Sequence, residues 1–323
     1  MRRRDFIALL GGAVSVWPLA ARAQSDVRKI GFVSWWSPSV KIHAEEFRKA
    51  LSDIGYIEGE NIELEVHFTD GNPQLTREVI RKMVADGVHI LVVQTTPAIR
   101  IAQEEAGELP IVMAPVADAI AGGFAESLAR PGGNLTGLTM FGPNLAGKRI
   151  QYQKELRPDL QTVAFLGSST DHNTPTFVRG TQAAADASGI KLNVHLVDGP
   201  QSIDAATFDA IREGGAEAVI VQPIFMGNQE KIVPLAMDAR LPVVSDYSLF
   251  AEAGAILTYG IDDLAQMRRA AYYVDRIFKG DDPGELPIEQ PTMFRLAINL
   301  ATADRFGWTV PPSLLAQADE LIE

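Results

Sequence analysis

The sequence DGVHILVVQTTPAIRIAQEEAGELPIVMAPVAD, residues 86–118, decides the predicted fold. It contains an apolar run that ends in QTT at residues 94–96, a short helix-like segment, and a second apolar run that ends in APV at residues 114–116. Residues 214–247, GGAEAVIVQPIFMGNQEKIVPLAMDARLPVVSDY, repeat this order of glycine, apolar strand, glutamine, helix and second strand. Continuous Val and Ile runs that alternate with helices are typical of parallel strands buried on both faces. The sequence therefore predicts an α/β fold.

Two copies of this pattern predict two Rossmann-like lobes that share a crevice, because ligands of such sheets bind beyond the carboxyl ends of the strands. One long doubly wound sheet is the alternative, in which the repetition reflects only the generic βα unit. The chain order favours two lobes, with residues 27–142 and 248–280 in the first and residues 143–247 and 281–323 in the second. The chain then crosses between the lobes three times, and these crossings form a hinge that allows closure around a ligand.

The composition is that of an ordinary soluble globular protein, since 46% of the 323 residues are hydrophobic and 22% are charged. This length is sufficient for two domains with substantial cores. A net charge of −12 argues against a nucleic-acid or anionic-membrane partner. The absence of cysteine excludes disulfides, thiolate metal sites, a cysteine nucleophile and a lipid-modified N-terminal cysteine.

Residues 1–23, MRRRDFIALLGGAVSVWPLAARA, have the pattern of an export signal. A basic start precedes an apolar stretch and a small-x-small site, so cleavage is expected between Ala23 and Gln24. Arg3 and Arg4 resemble a twin-arginine signal, with the general secretory route as the alternative. The apolar stretch of about fifteen residues is shorter than the ~20 that span a bilayer, which argues against an uncleaved anchor. We therefore expect the mature protein in the periplasm.

Five phrases carry a resemblance to a known family. They are LSDIGYIEGEN at residues 51–61, SLARPGGNLTG at 127–137, LPIEQPT at 286–292, INL at 298–300 and PPSLLA at 311–316. Together they resemble the substrate-binding proteins of ABC importers, in particular a tryptophan/tyrosine-type branch with the type I periplasmic binding protein fold. The resemblance implies two lobes joined by a three-crossover hinge and a small ligand held in the cleft. It also implies delivery to an inner-membrane ABC permease that is driven by a cytoplasmic ATPase.

Candidate binding residues of the first lobe follow its predicted strands, where backbone N–H groups and small hydroxyls suit a ligand carboxylate. They are Ser34, Thr95, Thr96, Pro115 and Val116. Thr95 and Thr96 also fit a helix N-cap before a proline. The two roles are compatible, because a helix N-terminus attracts anions.

Two further features of the first lobe come at strand ends. Trp35 and Trp36 follow the first strand, where a ring can stack on a flat ligand, and at least one of them is expected to contact it. Asp118 matches an acidic residue that the family places after its fourth strand, with an N-cap as the alternative role. Relatives commonly continue that Asp with Pro-Val, whereas this chain has Ala119 and Ile120, so a different local turn is expected.

In the second lobe the candidates are Ser168, Asn173, Gln222, Pro223, Asp246 and Tyr247. Asp246 is the best candidate to bind a ligand ammonium, because a carboxylate is the natural partner of a buried cation; a hinge or capping role is its alternative. Relatives that bind amino acids often carry an Asp in the loop that here reads QPIF at residues 222–225. Because this Asp is absent here, two ligand classes remain as alternatives: an aromatic amino acid, and a neutral or acidic aromatic molecule.

Motifs for catalysis are absent, since the sequence contains no GxGxxG, P-loop, HExxH or GxSxG pattern and its five histidines lack metal spacing. We therefore predict no catalytic residue, no metal and no cofactor. The sequence predicts a monomeric, exported solute-binding protein of an ABC importer. The alternatives are a periplasmic sensor, which presents its ligand-bound form to a membrane receptor, and a periplasmic α/β enzyme.

Overall fold

The computed structural model describes residues 27–140 and 142–323. The predicted export signal and its cleavage site therefore lie outside the described residues. Within the described ranges, no helix combines the length and the apolar character that are needed to cross a membrane.

The first lobe is built on a five-stranded parallel sheet with the order β2-β1-β3-β4-β5. Its strands are β1 (Arg28–Ser34), β2 (Ile62–Phe68), β3 (Ile90–Val93), β4 (Ile111–Val116) and β5 (Leu135–Thr139). The helices between them are α1 (Ile42–Asp53), α2 (Pro73–Ala85) and α3 (Thr96–Glu105). Every residue of β3 and β4 is buried, as the Val and Ile runs predict for central parallel strands.

The second lobe is built on a seven-stranded sheet with the order β12-β11-β10-β9-β8-β6-β7. Its strands are β6 (Thr162–Ser168), β7 (Lys191–Val197), β8 (Ala218–Val221), β9 (Val243–Ser245), β10 (Leu257–Ile261), β11 (Phe294–Asn299) and β12 (Glu320–Ile322). Its helices are α4 (Gly142–Leu156), α5 (Thr174–Ala187), α6 (Ala205–Glu213), α7 (Gln229–Asp238), α8 (Ser248–Glu252), α10 (Leu300–Arg305) and α11 (Pro312–Leu315). Only the pair β10–β11 is antiparallel among the described strands.

One late helix returns to the first lobe. Helix α9 (Asp263–Phe278) places Met267 and Tyr273 in the same core cluster as Phe32 and Phe47, so it covers one face of the small sheet. After α9, the backbone of Glu289 pairs with Gly137 and Thr139 of β5 at 2.9 Å. The chain therefore passes between the lobes after β5, after β10 and before β11.

The position of β10 differs from the predicted division of the chain. The sequence placed residues 248–280 with the first lobe and 281–323 with the second. In the structure β10 belongs to the larger sheet, and the segment that contains Glu289 runs beside β5 in the first lobe. The reason is strand pairing, because β10 is bonded to β9 on one edge and to β11 on the other.

Candidate ligand-binding site

Two adjacent cavities lie in the cleft, where the carboxyl ends of the strands of both lobes face each other. The outer cavity has a volume of about 420 Å³, within the range of small-molecule sites. The inner cavity has a volume of about 30 Å³, which is room for about one water molecule. Trp36, Asp171 and Ile224 line both cavities, so the two are parts of one cleft.

Trp35 and Trp36 form part of the first-lobe wall of the outer cavity. The indole Nε1 of Trp36 donates a hydrogen bond across the cleft to the carbonyl oxygen of Ile224, at 3.1 Å. The ring of Trp36 packs edge-on against Tyr247, with 6.3 Å between the centroids, and against His43, with 5.7 Å. Groups of both lobes therefore fix Trp36 at the junction of the two cavities.

The N-terminus of helix α3 opens into the inner cavity through Thr95 and Thr96. Thr95 has φ +71°, a left-handed conformation that is a genuine outlier for a β-branched residue. Its hydroxyl is buried and has no hydrogen-bond partner among the described residues, and it does not cap the helix. A helix N-terminus with an unused hydroxyl beside it is suited to bind an anion such as a carboxylate.

A buried polar network shapes the second-lobe side of the cleft around Asp171. Its Oδ1 accepts a hydrogen bond from the backbone N–H of Asn173 at 3.0 Å, and its Oδ2 accepts one from Nε2 of Gln222 at 2.8 Å. Oε1 of Gln222 accepts from the backbone N–H of Ser168 at 2.8 Å and from the hydroxyl of Thr174 at 3.1 Å. Burial raises the pKa of Asp171 above its ordinary value, and these donors together with His172 offset part of that rise.

Direct hydrogen bonds join the lobes around the cavities. Nδ2 of Asn173 donates to the hydroxyl of Thr96 at 2.6 Å. The hydroxyls of Ser37 and Ser39 donate to the carbonyl oxygen of Gly227 at 3.3 and 3.0 Å. The cleft is thus closed by contacts between side chains of one lobe and groups of the other.

Asp246 has an internal partner instead of a place in the cleft. The sequence favoured this carboxylate as the partner of a ligand ammonium. In the structure it is buried, lines neither cavity and accepts a hydrogen bond from the guanidinium of Arg149, which also donates to the carbonyl oxygen of Tyr259 at 3.1 Å. Burial raises the pKa of Asp246 to about 6, although the positive charge of Arg149 acts against this rise.

The other predicted residues divide between the cleft and its supports. Pro115, Pro223 and Tyr247 line the inner cavity, and Ser168 lines the outer one. Asn173 and Gln222 line neither cavity. They support the cleft indirectly, because Asn173 donates a hydrogen bond to Thr96 and Gln222 donates one to Asp171. A contact of any of these residues with a ligand stays a prediction.

Three predicted residues of the first lobe line neither cavity: Ser34, Val116 and Asp118. Ser34 and Val116 are fully packed at the ends of β1 and β4. Oδ1 of Asp118 accepts hydrogen bonds from the backbone N–H groups of Ile120 and Ala121 at 3.0 and 2.9 Å. Asp118 therefore caps the turn that follows it, which was its alternative role.

Sequence reasoning missed Asp171, although it named Ser168 and Asn173 on either side of it. The signal that could have found it is an acidic residue in the loop directly after a buried strand, because such loops reach the cleft in this fold. Within the described part of the chain, no group of three or more His, Asp and Glu side chains is arranged to hold a metal ion.

Two α/β lobes, three crossings and a cleft between the carboxyl ends of the strands define the type I periplasmic binding protein fold. The chain belongs to the ABC transporter substrate binding protein family, whose profile matches residues 30–322. The resemblance that the sequence phrases carry is therefore confirmed, and so is the fold class.

Individual relatives agree with this assignment. A tyrosine-binding protein of Clostridioides difficile (strain R20291) is 21% identical over 262 residues, which are 81% of this chain and 75% of the relative. The solved structure of an ABC domain in complex with L-Trp from Streptococcus pneumonia has a TM-score of 0.85 at 24% identity, covering 92% of this chain and 100% of that chain. A ligand-free, open substrate binding protein with adhesive properties from Clostridium difficile has a TM-score of 0.65 at 19% identity, covering 92% and 99%. These structures share the fold of this chain.

Proposed function

We propose that this chain is the exported solute-binding component of an ABC importer, and that its lobes close over a small organic molecule with an aromatic group. The observation that carries the proposal is the outer cavity of about 420 Å³, which lies between the lobes and is lined by Trp35 and Trp36. Sites of this volume accept small molecules, and indole rings stack on flat ligands.

The contacts across the cleft support a binding mechanism by hinge closure. Three crossings join the lobes, and the bonds from Asn173 to Thr96 and from Trp36 to Ile224 form only when the strand ends approach each other. A ligand that touches both lobes adds to these bonds, so it shifts the population towards the closed arrangement. Two of the proteins that this chain is similar to are a tyrosine-binding protein and an L-Trp complex, which supports an aromatic ligand.

The proposed partners are the ligand, an inner-membrane ABC permease and its cytoplasmic ATPase, with the protein acting as a periplasmic monomer. Residues 1–23 supply the export signal in this proposal, by the twin-arginine route. Mass spectrometry of protein recovered from the periplasm would give an N-terminus at Gln24. Retention in the cytoplasm after Arg3 and Arg4 are both replaced by Lys would support the twin-arginine route, and unchanged export would contradict it.

A ligand screen tests the binding function. Residues 24–323 are titrated with aromatic amino acids, aromatic acids and other small metabolites, with thermal unfolding and calorimetry as readouts. A ligand bound only by the folded protein at a hundred times its Kd stabilises it by about 2.7 kcal/mol. We expect one-to-one binding with no product formed and a decrease in the radius of gyration in solution. Chemical turnover of the ligand would overturn the proposal in favour of an enzyme.

A further inference from the structure

We infer that Asp171 binds a cationic amino group of the ligand and that Gln222 positions Asp171 for this role. The inference rests on the proposed function and narrows its ligand to an amino acid or amine, as opposed to the corresponding acid without nitrogen. It also moves the ammonium site from Asp246, where the sequence placed it, to the loop after β6.

The buried acids of the second lobe differ in whether a cation of the protein neutralises them. Asp171 is 7% exposed and forms no ion pair with any described residue, whereas Asp246, which is 3% exposed, pairs with the guanidinium of Arg149. A buried carboxylate without a cation is costly unless it is protonated or a partner supplies the charge. Asp171 lines both cavities, so a ligand in the cleft can supply this charge.

The geometry of the carboxylate leaves room for such a partner. An ionised carboxylate offers about four acceptor positions, and the bonds from Asn173 and Gln222 use one on each oxygen of Asp171. If the amide of Gln222 turned around, the hydrogen bond from the backbone N–H of Ser168 to its Oε1 would be lost, so the amide keeps its orientation. Its Nε2 therefore points at Asp171 and fixes the carboxylate towards the cavity.

The first-lobe side of the cleft suits the carboxylate end of an amino acid. Thr95 is 7% exposed and lies at the N-terminus of the ten-residue helix α3, beside the inner cavity. Its hydroxyl has no hydrogen-bond partner among the described residues. This position suits a ligand carboxylate. Trp36, Phe177 and Tyr247 line the same cavity as Asp171 and Thr95 and supply apolar surface there. An α-amino acid with an apolar or aromatic side chain therefore matches the cleft better than a simple aromatic acid does.

Matched ligand pairs test the inference by calorimetry. Tryptophan is compared with indole-3-propionic acid, tyrosine with 3-(4-hydroxyphenyl)propionic acid, and phenylalanine with 3-phenylpropionic acid. We expect the wild-type protein to prefer the amine-bearing member of its best pair by about 100-fold, because loss of one partner from a desolvated charge pair has an effect of this order. Asp171→Asn keeps the shape of the side chain and is expected to abolish this preference.

The control variant is Asp209→Asn, which removes the same charge from the exposed surface of helix α6 in the same lobe. It should retain the wild-type preference. Gln222→Ala should retain the fold and lose part of the preference, because Asp171 then loses its positioning donor. Thermal unfolding of each variant confirms that it is folded.

The outcomes separate the inference from the proposed function. Equal binding of both members of every pair by the wild-type protein, or an unchanged preference in Asp171→Asn, overturns the role of Asp171 and leaves the solute-binding function standing. Failure of the wild-type protein to bind any compound of the broad screen overturns the proposed function and, with it, the inference.

Discussion

Asp171 and Asp246 are two buried carboxylates of the same lobe, and they differ in what neutralises them. Asp246 follows β9 and pairs with the guanidinium of Arg149 in the interior. Asp171 follows β6, accepts hydrogen bonds only from uncharged amide groups of the described residues, and lines the cleft. Both carboxyls have a raised pKa, with burial as the main cause. Burial therefore does not distinguish a binding residue from a structural one, whereas a missing countercharge beside a cavity does.

Of the changes that test this difference between the two carboxylates, removal of Arg149 should have the largest effect, and the effect is on the free energy of unfolding. We expect Arg149→Met to lower the free energy of unfolding by about 3–5 kcal/mol, because it leaves the Asp246 carboxylate buried without a countercharge. Urea denaturation of the ligand-free protein measures the change. Asp171→Asn, by contrast, breaks no ion pair and should lower the free energy of unfolding by only about 1–3 kcal/mol, because the new amide –NH2 faces a donor, Nε2 of Gln222 or the backbone N–H of Asn173.

A double variant sharpens the result for the interior pair. Arg149→Met combined with Asp246→Leu removes both charges, and it should recover much of the lost stability, since a buried ion pair is often replaced by apolar groups with little net cost. A loss below about 1 kcal/mol in Arg149→Met alone would show that Asp246 does not depend on Arg149, and the contrast between the two carboxylates would fail.

The next largest expected effect is that of pH on ligand affinity. The raised pKa of Asp171 means that its carboxyl takes up a proton at a higher pH than an ordinary aspartate does. The ionised form binds an ammonium, so affinity for an amino acid should be constant above this pKa. Below it, affinity should fall by up to about tenfold per pH unit, which corresponds to about 1.4 kcal/mol. Calorimetry from pH 4 to pH 8, in steps of about one unit, follows the fall.

Comparison of the wild-type protein with two variants shows which group causes the pH dependence of affinity. His172 lies beside Asp171 and lowers the pKa of its carboxyl, so His172→Gln should shift the profile to higher pH without removing it. Asp246 titrates in the wild-type protein and in Asp171→Asn alike, so the difference between their profiles isolates Asp171. A profile with the same slope in Asp171→Asn would assign the titration to another group.

Gly227 offers a way to weaken closure without touching either carboxylate. It has φ +89°, and an added Cβ would lie 3.0 Å from Cγ2 of Val40 and 3.2 Å from Cβ of Trp36, both in the opposite lobe. Gly227→Ala should therefore hold the lobes apart and weaken ligand affinity by about tenfold, or ~1.4 kcal/mol. Calorimetry gives the affinity, and small-angle scattering shows whether the ligand still contracts the protein.

Gly215→Ala is the matched control, because Gly215 has φ +81° and a Cβ there meets nothing within 4 Å. Both variants carry the strain of alanine in a left-handed conformation, about 1–2 kcal/mol each. Only Gly227→Ala should lose affinity. Equal affinity losses in the two variants would assign the effect to backbone strain and not to the approach of the lobes.

The parts of the fold that local sequence determines could be predicted. The Val and Ile runs of β3 and β4 predicted parallel strands, because burial on both faces requires apolar side chains at consecutive positions. The lobe membership of β10 could not be predicted in this way. It depends on the pairing of β10 with β11, which follows it only after helix α9. Local patterns do not encode such a pairing.

The same limit applies to the site. The ends of β1 and β8 were recognised as cleft elements, and Trp35, Trp36 and Pro223 do line the cavities. The role of Asp246 could not be predicted, because its partner Arg149 lies 97 residues earlier in the chain on α4. Asp171 has no such partner among the described residues, and only the folded structure reveals this difference.

Substitution of Thr95 is expected to have the smallest effect of these changes. It tests whether the first-lobe side of the cleft binds the ligand carboxylate. The φ of +71° at Thr95 is strained for a β-branched residue, so Thr95→Gly should raise the free energy of unfolding by about 1 kcal/mol. The same change removes the unused hydroxyl, which should weaken binding of a carboxylate ligand by about 1 kcal/mol. Tryptamine has the amine of tryptophan without its carboxylate, so its affinity should not change. Thr95→Ser keeps the hydroxyl and should keep the affinity for tryptophan, whereas an equal loss for both ligands in Thr95→Gly would remove the carboxylate from this end of the cleft.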